Sequence, residues 1–155
     1  MREEEFAGRL ETVRLKLYKT ALLYLGSESM AVDAVDEAVY KAYRGMKRLR
    51  QQEYFDTWIT RILINECHNE LRRRKHFADT EELPETAQEE FDALPLREAV
   101  RKLPKELKEI VILRYFAGYT LAETAQTLHI PQGTAATRQR RALKLLKLEL
   151  GEEEV

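Results

Sequence analysis

Cysteine, glycine and proline are scarce in this chain: one, six and four of them occur in 155 residues. The single cysteine, Cys67, excludes an intramolecular disulfide and fits a reducing compartment, where it would serve as a small core residue. So few glycines and prolines argue against long loops and a many-stranded sheet. The sequence has no run of about 18 apolar residues, so it predicts no membrane span. The acidic N-terminus lacks the apolar stretch of a signal peptide. We therefore expect a cytoplasmic protein without direct membrane insertion.

Residues that carry enzyme chemistry are also sparse. The three histidines, His68, His76 and His129, are scattered along the chain. No cluster of cysteine and histidine, no glycine-rich phosphate loop and no nucleophile elbow is present. The sequence therefore predicts neither an enzyme nor a metal site, and it implies no cofactor.

Charge is distributed unevenly, although the net charge is only −1. Residues 1–75 carry a net charge of +3, residues 76–95 carry −7, residues 96–150 carry +6 and the last five carry −3. Hydrophobic residues make up 44% and charged residues 34%, which is typical of a folded, helix-rich protein. Two basic blocks separated by an acidic segment are compatible with a nucleic-acid-binding protein.

The first predicted module, residues 1–76, contains three helices, because apolar residues recur every three or four positions. Gly26 ends the first helix, and Ser27 or Ser29 caps the second. The predicted core residues of the first helix are Phe6, Leu10, Val13, Leu17, Ala21 and Tyr24. Those of the second are Val32, Val35, Val39, Ala42 and Met46. Those of the third, from about 55 to 75, are Trp58, Ile59, Ile62, Leu63, Cys67 and Leu71. The predicted exposed face of the third helix comprises Arg61, Asn65, His68, Asn69, Arg72 and Arg73.

Residues 77–93 are acidic and poor in apolar side chains, so we predict a flexible linker there. The second predicted module spans residues 94–150, and residues 151–155 form an acidic tail. Helices are expected at 96–103 and 105–116, the second burying Leu107, Ile110, Val111 and Leu113. Gly118 breaks the chain before the next helix.

The segment 120–148 has the pattern of a helix-turn-helix. Thr120 and Glu123 form a candidate capping box, small Ala125 suits a close helix crossing, and His129 stands at a turn position where glycine is usual. The second helix has an apolar stripe of Ala135, Ala142, Leu146 and Leu150. Its opposite side carries Thr137, Arg140, Arg141, Lys144 and Lys147. An ordinary helix pair with a solvated face is the alternative. Several cations without an intervening acid favour insertion into a major groove.

Three features of the first module have open alternatives. The basic run 72–76 either complements the helix dipole or meets a polyanion, and four successive cations favour the polyanion. Tyr54, Phe55 and Trp58 either pack in the core or stack on unpaired bases. The predicted acidic face of Asp33, Asp36 and Glu37 is a protein-docking surface or a solvated surface. A metal site or a pair of catalytic acids fits less well, because no histidine stands at helical spacing from these carboxylates.

Three stretches in this order resemble the extracytoplasmic-function type of bacterial RNA polymerase sigma factor. Residues 17–43 read LYKTALLYLGSESMAVDAVDEAVYKAY and resemble the helices of the family's second region. Residues 54–75 read YFDTWITRILINECHNELRRRK and resemble its aromatic and basic helix. Residues 103–146 read LPKELKEIVILRYFAGYTLAETAQTLHIPQGTAATRQRRALKLL and resemble its fourth-region helix-turn-helix.

This resemblance implies an all-α fold of two small helical domains joined by the acidic linker. It also implies an alternative sigma factor that binds the clamp and flap of core RNA polymerase and recognises promoter DNA, with an anti-sigma factor as a further partner. The implied polymerase-binding residues are Asp33, Asp36, Glu37 and Tyr40. The −10 element would meet the loop 49–55 and the next helix, through Tyr54, Arg61, Asn65, Asn69, Arg72 and Arg73. The −35 element would meet Thr134, Thr137, Arg138, Arg140, Arg141 and Lys144. The linker would thread through a basic channel of the polymerase.

The chain departs from the family pattern at a few positions. Ala135, Ala136 and Gln139 stand where the family often has valine, a basic residue and an aliphatic residue. Since the first and third are core positions, we expect looser packing of this helix. The missing cation at Ala136 should remove one DNA contact. The run from Asp36 to Ala38 replaces a Gln-Glu-Thr type of run. A stand-alone helix-turn-helix regulator is the main alternative function, and a polymerase-binding protein that never touches DNA is a third.

Overall fold

The structure, a computed structural model, describes the backbone of residues 1–77 and 94–150 and the side chains of residues 1–74 and 95–147. Helices make up both parts, and no strand occurs in either. The chain divides into two units, Met1–Ala87 and Gln88–Val155. The predicted linker lies outside the described residues except for Phe77, which ends a helix, and so does the acidic tail. Among the described helices, none has the length and apolar character needed to cross a bilayer.

The first unit is built from three long helices that contact one another pairwise. They are α1 (Glu3–Leu25), α2 (Glu28–Gly45) and α3 (Phe55–Phe77). Two 3-10 turns, Met46–Arg48 and Gln52–Tyr54, join α2 to α3. Gly26 adopts φ 71° at the end of α1, and the Ser27 hydroxyl accepts a hydrogen bond from the Met30 amide at the start of α2. Both boundary predictions are confirmed, as is the buried stripe predicted for α1.

The buried face of α2 differs from the prediction. Val32 is 46% exposed and Val39 is half-buried, so neither is a core residue. The face that meets α1 and α3 consists largely of small side chains: Ala31, Ala34, Val35, Ala38 and Ala42. Val35, Ala42 and Met46 are buried as predicted. Because alanine allows helix axes to approach closely, Ala31, Ala34 and Ala38 take the remaining core positions in place of Val32 and Val39.

In α3, Ile59, Leu63 and Cys67 are buried as predicted, whereas Trp58, Ile62 and Leu71 are only half-buried. The core face of α3 comprises Phe55, Ile59, Thr60, Leu63, Ile64 and Cys67. His68, predicted to be exposed, is half-buried instead. Its ring meets the ring of Tyr24 edge to face at 5.3 Å, which is a favoured aromatic geometry. The histidine therefore belongs to the packing between α1 and α3.

The described part of the second unit, residues 94–150, contains four α-helices: α4 (Leu94–Arg101), α5 (Lys105–Val111), α6 (Leu121–Leu128) and α7 (Gln132–Leu150). The α4 helix lies two residues earlier in the sequence than predicted. The predicted helix 105–116 is not uniform, since residues Ile112–Phe116 form a π-helical turn. The Ala117 amide donates to the Ile112 carbonyl at 2.8 Å there. The four core residues predicted for this helix are buried, and Ile112 joins them.

Candidate functional site

The turn between α6 and α7 is fixed by local hydrogen bonds. At the start of α6, the Thr120 hydroxyl accepts from the Glu123 amide at 3.0 Å and the Glu123 carboxylate accepts from the Thr120 amide at 2.8 Å. At its end His129 adopts φ 60° and ψ 45°, and the Ile130 amide donates to the Ala125 carbonyl at 3.0 Å. This 6→1 bond is that of a Schellman cap. The capping box and the left-handed His129 are both confirmed.

Packing beneath the turn sets the orientation of α7. Ala125 of α6 and Ala135 of α7 are buried together with Ile110 of α5. Partly buried apolar side chains surround this cluster: Leu121, Leu128 and Ile130. Further along α7, Ala142 and Leu146 are buried as predicted, and Leu150 lies outside the described side chains. The inner face of α7 is therefore anchored by small residues that permit close helix contact.

The outer face of α7 carries the predicted DNA-binding residues. Four of these side chains are exposed: Thr137, Arg140, Arg141 and Lys144. Thr134 and Arg138 are half-buried at the edge of the same helix. No acidic residue occurs between Glu123 and Glu149 in the sequence. The face therefore presents a concentrated positive charge, with hydrogen-bond donors suited to phosphates and to base edges.

Arg114, which is not among the residues predicted from the sequence, is hydrogen-bonded to α7. Arg114, in the π-helical turn, donates through Nε to the Gln139 amide oxygen at 2.8 Å. It also donates to the Tyr119 carbonyl at 2.7 Å, and its guanidinium lies 5.4 Å from the centre of the Tyr115 ring. Gln139 was predicted as a core position, but it is half-buried and hydrogen-bonded. No sequence signal links positions 114 and 139, because the contact depends on the tertiary fold.

A polar face also runs along α3. Five predicted DNA-binding residues are exposed there: Arg61, Asn65, Asn69, Arg72 and Arg73. Arg72 donates to the Asn69 amide oxygen, and Arg73 forms an ion pair with Glu70.

The basic run at the end of α3 is only partly available to a ligand. Besides the Arg73 ion pair, the Arg74 guanidinium donates to the Leu25 carbonyl at 3.3 Å, near the C-terminus of α1. At least two of the four successive cations therefore have partners within the unit. Intramolecular contacts account for part of this run, for which the sequence alone favours a polyanion partner.

The three candidate stacking residues have different environments. Tyr54 is 55% exposed at the start of α3, so its ring is accessible to a base. Phe55 is fully buried and Trp58 is half-buried beside it, with ring centres 6.0 Å apart. The stacking alternative is therefore wrong for Phe55, which is a core residue.

An acidic surface with apolar members lies on α2. Asp33, Asp36 and Glu37 are exposed, together with Tyr40, which is 55% exposed, and Val32. No group of three potential metal ligands occurs among the described residues. Exposed aromatic and aliphatic side chains among carboxylates are more typical of a protein-docking surface than of a merely solvated face.

Comparison with known proteins identifies the class of protein. A family profile described as Sigma-70 region 2 matches residues 10–77, and one described as Sigma-70, region 4 matches residues 93–146. The chain is 32% identical over 142 residues to the ECF RNA polymerase sigma factor SigM of Mycobacterium tuberculosis, covering 88% of this chain and 72% of the relative. It is 29% identical over 143 residues to the RNA polymerase sigma factor SigV of Bacillus subtilis, covering 89% and 86%.

A solved structure supports the same fold. The sigma factor RpoE from Bartonella quintana, crystallised with the anti-sigma factor NepR, matches with a TM-score of 0.79 at 21% identity. The match covers 97% of this chain and 99% of that one. The chain belongs to the extracytoplasmic-function sigma factors of the sigma-70 family. It is an alternative sigma factor, and the interpretation as a stand-alone regulator gives way to this role.

Proposed function

We propose that the outer face of α7 reads the duplex −35 element in the major groove. Support comes from the exposure of Thr137, Arg140, Arg141 and Lys144 and from the fixed inner face of the helix. Thr134 and Arg138 complete the proposed contact surface at its edge. Arginine suits this role because its guanidinium donates two parallel hydrogen bonds to guanine. The second helix of a helix-turn-helix generally docks in this way.

The first unit, in this proposal, meets the −10 element. Arg61, Asn65, Asn69 and Arg72 recur at helical spacing on the exposed side of α3, and amide side chains suit the edges of bases. The exposed Tyr54 ring would stack on an unpaired base. Arg73 would join the contact only by exchanging its ion pair with Glu70 for a phosphate.

The α2 surface is the proposed docking site for the polymerase clamp. Asp33, Asp36 and Glu37 supply charge that complements a basic surface, and Tyr40 supplies apolar contact area. The Arg44 guanidinium lies 5.6 Å from the centre of the Tyr40 ring, which restrains the side chain that would make the contact. The flap of the polymerase is the proposed partner of the second unit.

Three further proposals rest on the family and on the charge pattern. The acidic residues of 77–93 would pass through a basic channel of the polymerase that otherwise holds nucleic acid. An anti-sigma factor would hold the chain inactive, by analogy with the complex in which the solved relative was crystallised. Acting on polymerase and promoter, the chain would work in the cytoplasm as an initiation factor, without catalysis of its own.

The test of this function is reconstitution. The full chain is mixed with core RNA polymerase, and the DNA retained by the complex is sequenced to obtain a promoter. Specific retention should require both proteins, and transcription should start from that promoter. Failure to co-elute with core enzyme would contradict the proposal. Tight binding to a palindromic duplex without polymerase would instead restore the stand-alone regulator.

Arg141 provides the residue-level test on the same promoter. If Arg141 reads a base, Arg141→Ala should weaken −35 binding by about 1–3 kcal/mol and relax the preference at one position. Uniform weakening on all sequences would mean that the residue contacts phosphate only. Lys16→Ala, a change on α1 outside the proposed DNA faces, serves as a charge-matched control.

A further inference from the structure

Three residues in the first turns of α1 contact the segment between α2 and α3 or the residues on either side of it. We define the connecting segment as residues 46–54 and the α1 brace as Glu3, Phe6 and Arg9. These brace residues recur every three positions, so they share one side of the helix. The Sigma-70 region 2 match begins only at residue 10, so the brace lies outside the matched region.

Arg9 is the most specific of the three contacts. Its guanidinium donates to the backbone carbonyl of Gln52, 43 positions along the chain. The same carbonyl accepts the amide of Phe55, which closes the 3-10 turn Gln52–Tyr54 immediately before α3. Arg9 and Gln52 are both half-buried. A cationic donor therefore holds the turn that presents Tyr54, and charge-assisted hydrogen bonds of this kind are stronger than neutral ones.

Phe6 braces both sides of the connecting segment. It is 5% exposed, and its ring meets Phe55 edge to face at 5.6 Å and Tyr43 edge to face at 5.7 Å. Tyr43 precedes the segment and Phe55 follows it. The Tyr43 hydroxyl donates to the Glu3 carboxylate at 2.7 Å, and this hydrogen bond raises the pKa of the phenol. The two sides of the segment are thus tied to the same few turns of α1.

We propose that the α1 brace is a positioning site that holds the connecting segment, and Tyr54 with it, in the conformation that captures an unpaired −10 base. This inference rests on the proposed role of Tyr54 in −10 recognition. Its physical basis is pre-organisation, because apparent affinity falls in proportion to the fraction of molecules in the competent conformation. Loss of the Arg9 contact would leave the Gln52 carbonyl bonded to the Phe55 amide alone and widen the range of conformations available to Tyr54.

The loss of the Arg9 contact should affect binding to the −10 element alone. The inner face of α3 is held by a separate core that includes Ile59, Leu63 and Cys67, so removal of the guanidinium should leave the unit folded. The brace contacts described above join residues of the first unit, and none of them involves Asp33, Asp36, Glu37 or Tyr40. Arg9→Ala should therefore weaken binding to single-stranded −10 DNA without changing affinity for the −35 duplex or for core polymerase.

The experiment uses the full chain bound to core RNA polymerase. Affinity is measured for a single-stranded oligonucleotide carrying the −10 element and for a duplex carrying the −35 element of a promoter selected by the wild-type complex. Arg9→Ala should weaken single-strand binding by about threefold to tenfold, less than the loss of a well-shielded charge-assisted hydrogen bond would cause, because the site is half-exposed. Arg9→Lys, which keeps a cationic donor, should recover part of the loss. Arg14→Ala, an exposed arginine on the same helix, is the matched control.

Two further measurements separate positioning from general destabilisation. Amide exchange at residues 52–55 should accelerate in Arg9→Ala, and the fluorescence of Trp58, the single tryptophan, should change, while the core of α3 keeps its protection. On a Tyr54→Ala background, Arg9→Ala should add little further loss, because the two residues act through one contact.

The outcomes distinguish the brace from the function on which it rests. If Tyr54→Ala binds the single strand as tightly as the wild type, the −10 role of the segment is wrong, and the brace falls with it. If Tyr54→Ala weakens binding but Arg9→Ala does not, the brace alone is wrong. Equal weakening on the −35 duplex, or additive losses in the double variant, would also overturn it.

Discussion

Replacement of Gln139 by leucine tests whether a polar pair, rather than an apolar core contact, holds α7. In the structure the Arg114 Nε–H donates a hydrogen bond to the Gln139 amide oxygen at 2.8 Å. The Nη1 nitrogen of the same guanidinium donates to the Tyr119 carbonyl at 2.7 Å. Gln139→Leu removes the acceptor and leaves the Arg114 Nε–H facing a methyl group. The variant restores the aliphatic residue that the family resemblance leads one to expect, yet we expect it to destabilise α7.

The expected magnitude follows from the environment of the pair. A hydrogen bond to a charged group contributes about 1.5–3 kcal/mol when it is well shielded. Arg114 and Gln139 are both half-buried, so water compensates part of the loss. The added leucine also gains some apolar burial, roughly 0.5 kcal/mol at a partly exposed site. The net loss in the free energy of opening of α7 should be about 1 kcal/mol.

The assay is amide hydrogen exchange of the full chain, followed by mass spectrometry over the peptides of α7. Four proteins form a double-mutant cycle: the wild type, Gln139→Leu, Arg114→Met and the double variant. The coupling energy should be about 1 kcal/mol, and Gln139→Glu, which keeps an acceptor, should retain wild-type protection. A coupling energy indistinguishable from zero, or increased protection in Gln139→Leu, would refute the assignment.

Two other predictions concern stability. Burial raises the pKa of the Cys67 thiol to about 12, with the carboxylates of Glu66 and Glu70 adding to the shift; the folded chain should resist iodoacetamide at pH 8 and react only on unfolding. Rapid labelling of the folded chain would contradict this. Because the folded state holds the thiol proton more tightly, the thiol's contribution to stability should fall as the pH rises above the pKa of the unfolded thiol, roughly 8.5. Thr120→Ala should lower the stability of α6 by about 1 kcal/mol while Thr120→Ser retains it, as measured by exchange of the α6 amides; equal losses in both variants would exclude the hydroxyl as the cause.

Sequence reasoning succeeded where the determining interactions are local. The capping box at Thr120 and Glu123, the left-handed His129 and the cap at Ser27 all depend on residues a few positions apart. The opposed faces of α7 follow from helical periodicity, since Ala135 and Ala142 are buried while Arg140 and Lys144 are exposed. These features were predictable because a short segment contains the whole physical cause.

Prediction failed where packing between distant segments decides the outcome. The α2 helix has both an alanine and a valine stripe, and only the presence of two close neighbours selects the alanines over Val32. The π-helical turn at Ile112–Phe116 follows from no residue pattern in the sequence. The partners of Arg9 and Arg114 lie 43 and 25 positions away. Such contacts depend on the assembled fold and not on propensity.

The two proposed DNA-binding faces differ in the surroundings of their cations, and this difference would make the α3 face depend more on geometry than the α7 face. On α7 the exposed cations occur in a stretch without acidic residues, so attraction to phosphate can provide affinity over a range of small displacements. On α3, Arg73 and Arg74 are bonded within the unit, and the remaining proposed contacts include Asn65, Asn69 and the ring of Tyr54. Hydrogen bonds and stacking lose their strength over a fraction of an ångström and a few tens of degrees, so recognition by such groups depends on geometry more than on charge. A unit that reads bases in this way would benefit from a rigid connecting segment, and in the proposed brace the Arg9 contact to Gln52 would provide that rigidity beside Tyr54.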